Sequence, residues 1–224
     1  MSRRIEDIDA DNIFFSKPKN KSQNKFLYVY SDKKSLVLKM PKMRLPFGIN
    51  KDTLSNKNQF ILDLSLEYNK DLLESFEKLD QAVIKKVHEE FYPEKQFEEV
   101  TAMYTSCIKR PNNPAYFPTF RAKIITQDDK IKCDFYESEK NEDDRYPKID
   151  LEERGGEPYL LKAMNRGASI ESIVECIGLW IMNDKFGLSY KITQVKVFPK
   201  VEIECEFIDS SSDTSNSDID FLGD

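Results

Sequence analysis

The chain has 224 residues and a mass of 26.2 kDa, enough for one compact domain with additional ends, and its apolar fraction of 39% excludes wholesale disorder. No apolar run approaches the ~18 residues that cross a membrane, and the basic N-terminus lacks the apolar region of a signal peptide. The net charge of −6 is unevenly spread: from Glu202 onward there are eight acids and no Lys or Arg, which leaves 34 basic against 32 acidic residues before that point.

The N-terminal quarter predicts an arm followed by short strands. Residues 1–24 are polar and include a lysine-rich run, which is typical of a flexible basic arm. Two strand-like runs follow at 26–30 and 35–40, and the polar segment 31–34 between them predicts a hairpin turn.

A strand and a long helix are predicted next. Apolar and polar residues alternate over 59–67, which indicates a half-buried strand. From Leu72 to Phe91 the apolar residues recur every three or four positions, which predicts an amphipathic helix with Asn69 as its N-cap. Pro93 ends this helix or opens a short second one at 94–100.

The second half of the chain predicts mostly strands. Residues 137–158 are acidic and contain Gly155 and Gly156, which indicates a long exposed loop. The predicted strands are 102–108, 119–125, 131–136, 170–182, 186–198 and 201–207, of which 170–182 and 186–198 form a long hairpin. Together these elements predict a mainly β (α+β) fold, a barrel or sandwich with an inserted helix.

The motifs of catalytic and metal centres are mostly missing. The sequence has none of the glycine-rich phosphate-binding or nucleophile motifs, and only seven glycines to build them. His88 is the single histidine, and the four cysteines are far apart, which excludes the usual zinc-module spacings and fits reduced thiols inside a cell. We therefore expect an intracellular protein that is not an enzyme and holds no metal or cofactor.

Basic residues interleaved with aromatic ones are the positive signal. Three stretches carry cations with almost no acids: 16–51 has ten basic residues and one acid, whereas 101–127 and 185–201 have no acid at all. Single-stranded nucleic acid requires this combination, because cations follow the phosphates and flat side chains stack on exposed bases. The alternative is that the aromatic residues form the core and the lysines only solubilise the surface.

The C-terminal tail is the second signal. Residues 209–224 are small, polar and acidic, so they are expected to be disordered on their own. Apolar residues near the end of such a tail indicate a docking motif, which we assign to Asp218, Ile219, Asp220, Phe221 and Leu222. An inert solubilising tail is the alternative.

Three blocks of sequence carry a family resemblance. The segment Gly178-Leu-Trp-Ile-Met-Asn-Asp-Lys-Phe-Gly-Leu-Ser-Tyr-Lys-Ile-Thr-Gln-Val-Lys-Val197 resembles the C-terminal hairpin of single-stranded-DNA-binding proteins of nucleocytoplasmic large DNA viruses, which are similar to podophage replication proteins of the same function. Leu36–Gly48 and Pro118–Lys123 resemble two further blocks of that family.

The resemblance implies an OB-fold domain over 25–207, an acidic tail over 208–224 that recruits replication partners such as a polymerase or helicase-primase, and a capacity to form homodimers. The implied function is sequence-independent binding of single-stranded DNA in viral replication, recombination or repair, in the host cytoplasm (viral factory) or the nucleus.

We assign the DNA-binding residues by chemical type. Base stacking is predicted for Phe120, Trp180, Phe186 and Tyr190, and phosphate contacts are predicted for Lys42, Arg44, Arg121, Lys123, Lys185, Lys191 and Lys196. Alternate residues of a strand share a face, so Phe186 and Tyr190 face away from Lys185 and Lys191, and these residues cannot all line one groove.

Two other functions fit the same residues. One is an acidic-tailed interaction or chaperone module that binds basic proteins and buries its aromatic residues. The other is an RNA-binding OB-fold protein, which can differ from a DNA-binding one by a single contact to a 2′-hydroxyl.

Overall fold

The structure, a computed structural model, describes residues 2–18, 24–52, 59–128 and 130–200. Within these ranges the chain is mainly β. Its helices are two 3-10 turns, Ile5–Asp7 and Ala10–Asn12, and three α-helices, α1 (Lys70–Phe91), α2 (Phe97–Met103) and α3 (Glu157–Ala163). The strands are β1 (Ile13–Phe15), β2 (Lys25–Leu27), β3 (Val29–Ser31), β4 (Lys34–Ser35), β5 (Val37–Arg44), β6 (Ile49–Lys51), β7 (Gln59–Ser65), β8 (Ile108–Lys109), β9 (Thr119–Gln127), β10 (Lys130–Ile131), β11 (Asp134–Tyr136), β12 (Lys148–Ile149), β13 (Ser169–Met182) and β14 (Lys185–Phe198).

The main sheet contains a path of paired strands from β6 to β5, and the chain connects the two ends of this path. Strand β6 pairs antiparallel with β7, β7 with β9, and β9 runs parallel to β14. The long hairpin of β14 and β13 then leads to β5, and the chain passes from β5 into β6 through a short bend. The segment formed by β5, the bend and β6 pairs with β13 at one end and with β7 at the other, and β9 and β11 both run parallel to β14, which gives an OB-like barrel. The predicted α+β fold with a barrel and an inserted helix is confirmed.

Helix α1 covers the interior of this barrel. Its buried residues, among them Leu72, Phe76 and Leu79, follow the predicted spacing, and the Phe76 ring stacks on that of Phe120 in β9 with centroids 4.5 Å apart. The helix begins after Asn69, as predicted, but the Asn69 side chain makes no capping hydrogen bond. Burial of this apolar stripe, more than its capping, therefore holds the helix.

The N-terminal segment differs from the predicted flexible arm. Residues 2–18 form the two 3-10 turns and β1, which pairs antiparallel with β3. Ile5 and Ile13 are 3% and 2% exposed. Ile5 and Ile13 anchor the segment to the core, and Ile8 and Phe15 pack against it, but these residues are too few to give a periodic pattern in the sequence.

Three further predictions are wrong in detail. Most of the predicted strand 102–108 is the end of α2 and the segment after it, since β8 begins only at Ile108. The predicted loop 137–158 contains β12 and the start of α3. The predicted hairpin near residue 32 exists as β3 and β4, but the longer strand β5 leaves it to pair with β13.

Several expectations concern residues outside the described ranges. The predicted strand 201–207 and the tail, including its docking residues Asp218, Ile219, Asp220, Phe221 and Leu222, are among them. Of the helices that the structure describes, none combines the length and the apolar character needed to cross a membrane.

Candidate nucleic-acid interface

A narrow cleft on the outer wall of the barrel brings together an aromatic ring and cations. This Trp180 cleft lies between β9, the β13–β14 hairpin and the segment before β8, and has a volume of about 230 Å³. Its lining residues are Thr105, Ser106, Cys107, Lys109, Arg121, Lys123, Trp180, Leu188, Ser189 and Tyr190. Three of these described residues are cations and none is an acid.

An irregularity in β13 turns Trp180 outward. Burial alternates along β13 so that Val174 and Cys176 face the core, but the register with β14 shifts between Cys176 and Gly178. After the shift Leu179 and Ile181 face the core, and Trp180 is half-buried on the outer surface. The shift thus places the indole in the cleft.

The ring rests on a glycine of the neighbouring strand. Trp180 and Gly187 are cross-strand partners, and a methyl group at Gly187 would lie 3.0 Å from the indole carbon Cζ2 and 2.4 Å from the carbonyl oxygen of Thr105. No side chain fits in this space. Gly187 therefore lets the indole lie against the β14 backbone, which holds the ring in place while the ring still lines the cleft.

The cations of the cleft are held by different contacts. The Arg121 guanidinium donates from Nε and Nη2 to the two carboxylate oxygens of Asp63 at 2.8 and 2.9 Å, and these hydrogen bonds raise the pKa of Arg121. Of the five N–H donors of Arg121, three remain for another ligand. The ammonium of Lys109 donates to the carbonyl oxygen of Ser106 at 3.0 Å.

Two lysines stand side by side next to the cleft. Lys123 of β9 and Lys191 of β14 are partners in the parallel register, and Lys191 forms an ion pair with Glu175 at 2.9 Å. Like charges that face each other across strands destabilise a sheet. Glu175 offsets one of the two charges, and a bound anion would offset the other.

A partly buried carboxylate supports the wall of the cleft. Asp80 of α1 accepts hydrogen bonds from the hydroxyls of Tyr104 and Ser106, at 2.5 and 2.7 Å. Burial raises the pKa of Asp80, and the two hydroxyl donors partly oppose that effect. The same wall carries Cys107, whose thiol has a pKa raised to about 12 by burial and donates to the carbonyl oxygen of Leu188. Because the thiol stays protonated at neutral pH, it is not a nucleophile.

Three of the four predicted stacking residues lie in the core. Phe120 and Phe186 are 0% exposed and Tyr190 is 2% exposed, so none of these rings can stack on a base. Each alternates along its strand with outward polar residues, and the Phe120 ring packs between Phe76 and Tyr190. The predicted stacking role of these three residues is wrong; Trp180 alone keeps it as a prediction.

The predicted cations divide into two groups. Arg121 and Lys123 line the Trp180 cleft, and Lys191 stands next to it. The other four lie elsewhere: Arg44 is exposed opposite Ser169, Lys185 is exposed at the start of β14, and Lys42 and Lys196 lie near Phe198. Their role in DNA binding stays a prediction.

One cation of the cleft and two exposed aromatic residues are absent from the predicted set. Lys109 lines the cleft. Tyr116 and Phe117 are 64% and 51% exposed in the segment that leads into β9. A sequence signal for them exists: they follow Pro111 and Pro114, where no regular strand can bury an aromatic ring.

A cleft along α1 has a different character. This cleft has a volume of about 1060 Å³ and is lined by the acids Asp11, Glu74, Glu77 and Asp80 as well as by basic residues. Among the described residues, no cluster of three His, Cys, Asp or Glu side chains is arranged to hold a metal ion.

No protein-family model matches the sequence, and no curated protein matches it. Among solved structures, the single-stranded DNA-binding protein from bacteriophage Enc34 matches with a TM-score of 0.48 and 12% identity, over 90% of this chain and 97% of that one. The same phage protein in complex with ssDNA matches with a TM-score of 0.43 and 10% identity, over 83% of this chain and 96% of that one. Gp2.5, a single-stranded DNA-binding protein encoded by bacteriophage T7, matches with a TM-score of 0.46 and 10% identity, over 83% of this chain and 100% of that one.

Proposed function

We propose that this protein binds single-stranded DNA without sequence preference and without catalysis. The observation that carries the proposal is the Trp180 cleft, where Lys109, Arg121 and Lys123 surround an indole ring and no described acid lines the wall. Binding would place a base against Trp180 and the adjoining phosphates on the cations.

The geometry favours a single strand over a duplex. An indole can stack only on a base whose face is free, and bases in a duplex are stacked on each other. The cleft is about 230 Å³, which suits one nucleotide more than a double helix. Its cations reach phosphates through charge, which carries no sequence information. Sequence-independent binding follows from this arrangement.

The pairing of Arg121 with Asp63 supports the same function. The carboxylate fixes the guanidinium plane through two hydrogen bonds, so little side-chain freedom is lost when a phosphate binds. The three free N–H donors of the guanidinium then contact the phosphate. Asp63 is thus a positioning residue, and the positive charge for the phosphate comes from Lys109 and Lys123 as well.

Binding measured as a function of salt tests the proposal. We expect labelled oligo-dT to bind with a log–log salt slope near −3, because four cations (Lys109, Arg121, Lys123 and Lys191) each contribute about −0.7 on single strands. Duplex DNA of the same length should bind more weakly. A slope near zero, or equal affinity for the duplex, would contradict the proposal and favour the interaction or chaperone module. Matched oligo-U shows whether RNA is the better ligand.

The wider role rests on the sequence blocks that resemble viral proteins. We infer that the chain belongs with the single-stranded-DNA-binding proteins of nucleocytoplasmic large DNA viruses, acts in viral DNA replication, recombination or repair in the host cytoplasm or nucleus, and can dimerise. The support is the resemblance of Gly178–Val197, which includes Trp180, and of Leu36–Gly48 and Pro118–Lys123.

The tail is the proposed recruitment element. Its acidic residues, tethered next to a basic cleft, would occupy that cleft until DNA displaces them and frees Phe221 and Leu222 for a polymerase or helicase-primase. Truncation after Ile208 should tighten binding of oligo-dT at low salt, where charge is least screened, and abolish binding of the purified viral polymerase. Phe221→Ala should abolish only the binding of the polymerase. If truncation leaves the DNA affinity unchanged, the tail does not compete with DNA for the cleft. If the truncated protein still binds the polymerase, the tail is not the docking element.

A further inference from the structure

A second basic and aromatic cleft lies at the other end of β14. This Tyr146 cleft has a volume of about 630 Å³ and lies between β11, β14, β13 and β5. It is lined by Lys39, Met40, Tyr136, Arg145, Tyr146, Glu171, Ser172, Ile173, Gln194, Val195 and Lys196. Its cations are Lys39, Arg145 and Lys196, and its only acid among the described residues is Glu171.

Lys196 and Tyr146 form the centre of the cleft. The Lys196 ammonium lies 2.7 Å from a carboxylate oxygen of Glu171 and 4.1 Å from the centroid of the Tyr146 ring. The ring is held against this cation but is still 40% exposed. The Lys140 ammonium also lies 5.7 Å from the centroid of this ring, so two cations lie close to an aromatic ring that is still partly exposed to a ligand.

Two cations of the Tyr146 cleft have no acidic partner in the described part of the chain. Neither Lys39 nor Arg145 forms an ion pair there, whereas Lys196 is compensated by Glu171. The cleft therefore has uncompensated positive charge beside an exposed aromatic ring. Phosphate attracts such charge, and a base stacks on such a ring.

A second irregularity joins the two clefts on one face. The register of β13 and β14 shifts near Ile173 and Val174, so that Val195 and Val197 face the core and Lys196 faces outward, as Lys191 does before the shift. Without the shift, Lys196 would point into the barrel. Ser189 of the first cleft and Lys196 of the second are seven residues apart on β14, about 23 Å at the usual strand rise, and Lys191 lies between them.

We propose that the Tyr146 cleft is a second nucleotide-binding subsite on the path of the same DNA strand, with a base on Tyr146 and its phosphates on Arg145 and Lys39. This inference rests on the proposed function. It predicts that the DNA strand crosses β14 at Lys191. Oligonucleotides that are too short to span both clefts should bind at the Trp180 cleft without contacting the Tyr146 cleft.

Length dependence tests the subsite. Stacked nucleotides advance about 3.4 Å each, so dT16 can span both clefts whereas dT4 cannot; both lengths lie within the ~4–16 nucleotides that one OB domain covers. We expect Tyr146→Ala to weaken binding of labelled dT16 about tenfold, with the dT4 affinity within about twofold of wild type. Tyr146→Phe keeps the ring and should restore the dT16 affinity. Arg145→Ala should also lower the dT16 affinity and reduce its salt slope by ~0.7.

Matched controls separate this inference from the proposed function. Lys78→Ala removes an exposed cation on α1 and should change neither affinity. If wild type binds neither oligonucleotide, the proposed function and the subsite both fail. If wild type binds dT16 but Tyr146→Ala has no effect, or weakens dT4 as much as dT16, the subsite alone is overturned. Tight binding of dTMP that depends on Tyr146, with dT16 binding unaffected, would assign the cleft to free nucleotides instead.

Discussion

The outer wall of the barrel and the side covered by α1 differ in the charge of their clefts. The Trp180 and Tyr146 clefts on the wall have a clear excess of cations, whereas the larger cleft along α1 has four acids against three basic residues, Lys78, Lys85 and Arg110. The wall clefts measure about 230 and 630 Å³ and the α1 cleft about 1060 Å³. If volume alone were used to choose a binding site for a polyanion, it would point to the α1 cleft, where acids outnumber basic residues. Charge and an open aromatic ring select the wall.

The two sides also use aromatic residues differently. Where α1 covers the barrel, Phe76, Phe120 and Tyr190 form one cluster of rings with centroids 4.5 to 6.0 Å apart. On the wall, Trp180 and Tyr146 each keep a surface that a ligand can reach. The first group stabilises the fold and the second is proposed to bind DNA, so substitutions in the two groups should separate stability from affinity.

Phe120→Ala should give the largest effect. Removal of a fully buried ring costs ~3–5 kcal/mol of unfolding free energy, and Phe76 and Tyr190 would lose their partner. Urea unfolding measures the loss. If Phe120→Ala keeps its stability but loses oligo-dT affinity, the ring acts in binding and the comparison fails.

Trp180→Ala should show the opposite pattern. The indole is half-buried and covers Gly187, so we expect a loss of ~1–3 kcal/mol in binding of oligo-dT, with a smaller loss of stability than Phe120→Ala causes. Anisotropy titration and urea unfolding of one preparation give both numbers. The variant could instead unfold, and then bind oligo-dT like wild type once an added osmolyte has restored its fold. That result would show that Trp180 is a core residue and does not contact DNA.

Tyr190→Phe should stabilise the protein. The Tyr190 hydroxyl is buried and has no hydrogen-bond partner among the described residues. An unsatisfied buried hydroxyl costs ~1–3 kcal/mol, so its removal should raise the midpoint of urea unfolding while oligo-dT affinity stays the same. A lower midpoint would show that the hydroxyl has a partner. Weaker DNA binding would support the stacking role that burial excludes.

Asp80→Asn should change how the stability depends on pH, and this is the smallest of the expected effects. Burial raises the pKa of Asp80, so the native state holds this proton more tightly than the unfolded state does. Its contribution to stability is therefore present at low pH and is lost as the pH rises through the native pKa. Wild type should lose stability relative to Asp80→Asn as the pH rises above about 4, the ordinary pKa of an aspartate. A constant difference between the two proteins over that range would contradict the raised pKa.

Local sequence patterns predicted the helices and strands, but they did not predict which side chains face outward at the candidate site. The helix over Leu72–Phe91 and the strands of the long hairpin follow from periodicity, because most of their apolar residues recur at the spacing of a helix or of a strand. Alternation also predicted that Phe186 and Tyr190 share a face opposite Lys185 and Lys191. Which face is buried depends on the strands and the helix that pack against it. These elements are distant in the sequence, so no short stretch of sequence shows which face they cover.

The remaining site residues depend on irregularities. Trp180 and Lys196 face outward because the register shifts in the hairpin, and a regular alternation would bury one or the other. Arg145 and Tyr146 belong to a segment without periodicity, so no pattern marks them before the fold brings them to β14. Such irregularities in strands are frequent at binding sites, where they redirect a side chain.

The most direct test uses the single tryptophan of the chain, which is Trp180. Titration with unlabelled oligo-dT, followed by tryptophan fluorescence, reports contact at the proposed base-stacking residue, and anisotropy of labelled oligo-dT reports binding itself. The account predicts saturable quenching with the same midpoint as the anisotropy curve, both shifted to higher DNA concentration by added salt. Binding seen by anisotropy with unchanged tryptophan fluorescence would place the DNA elsewhere and contradict the account.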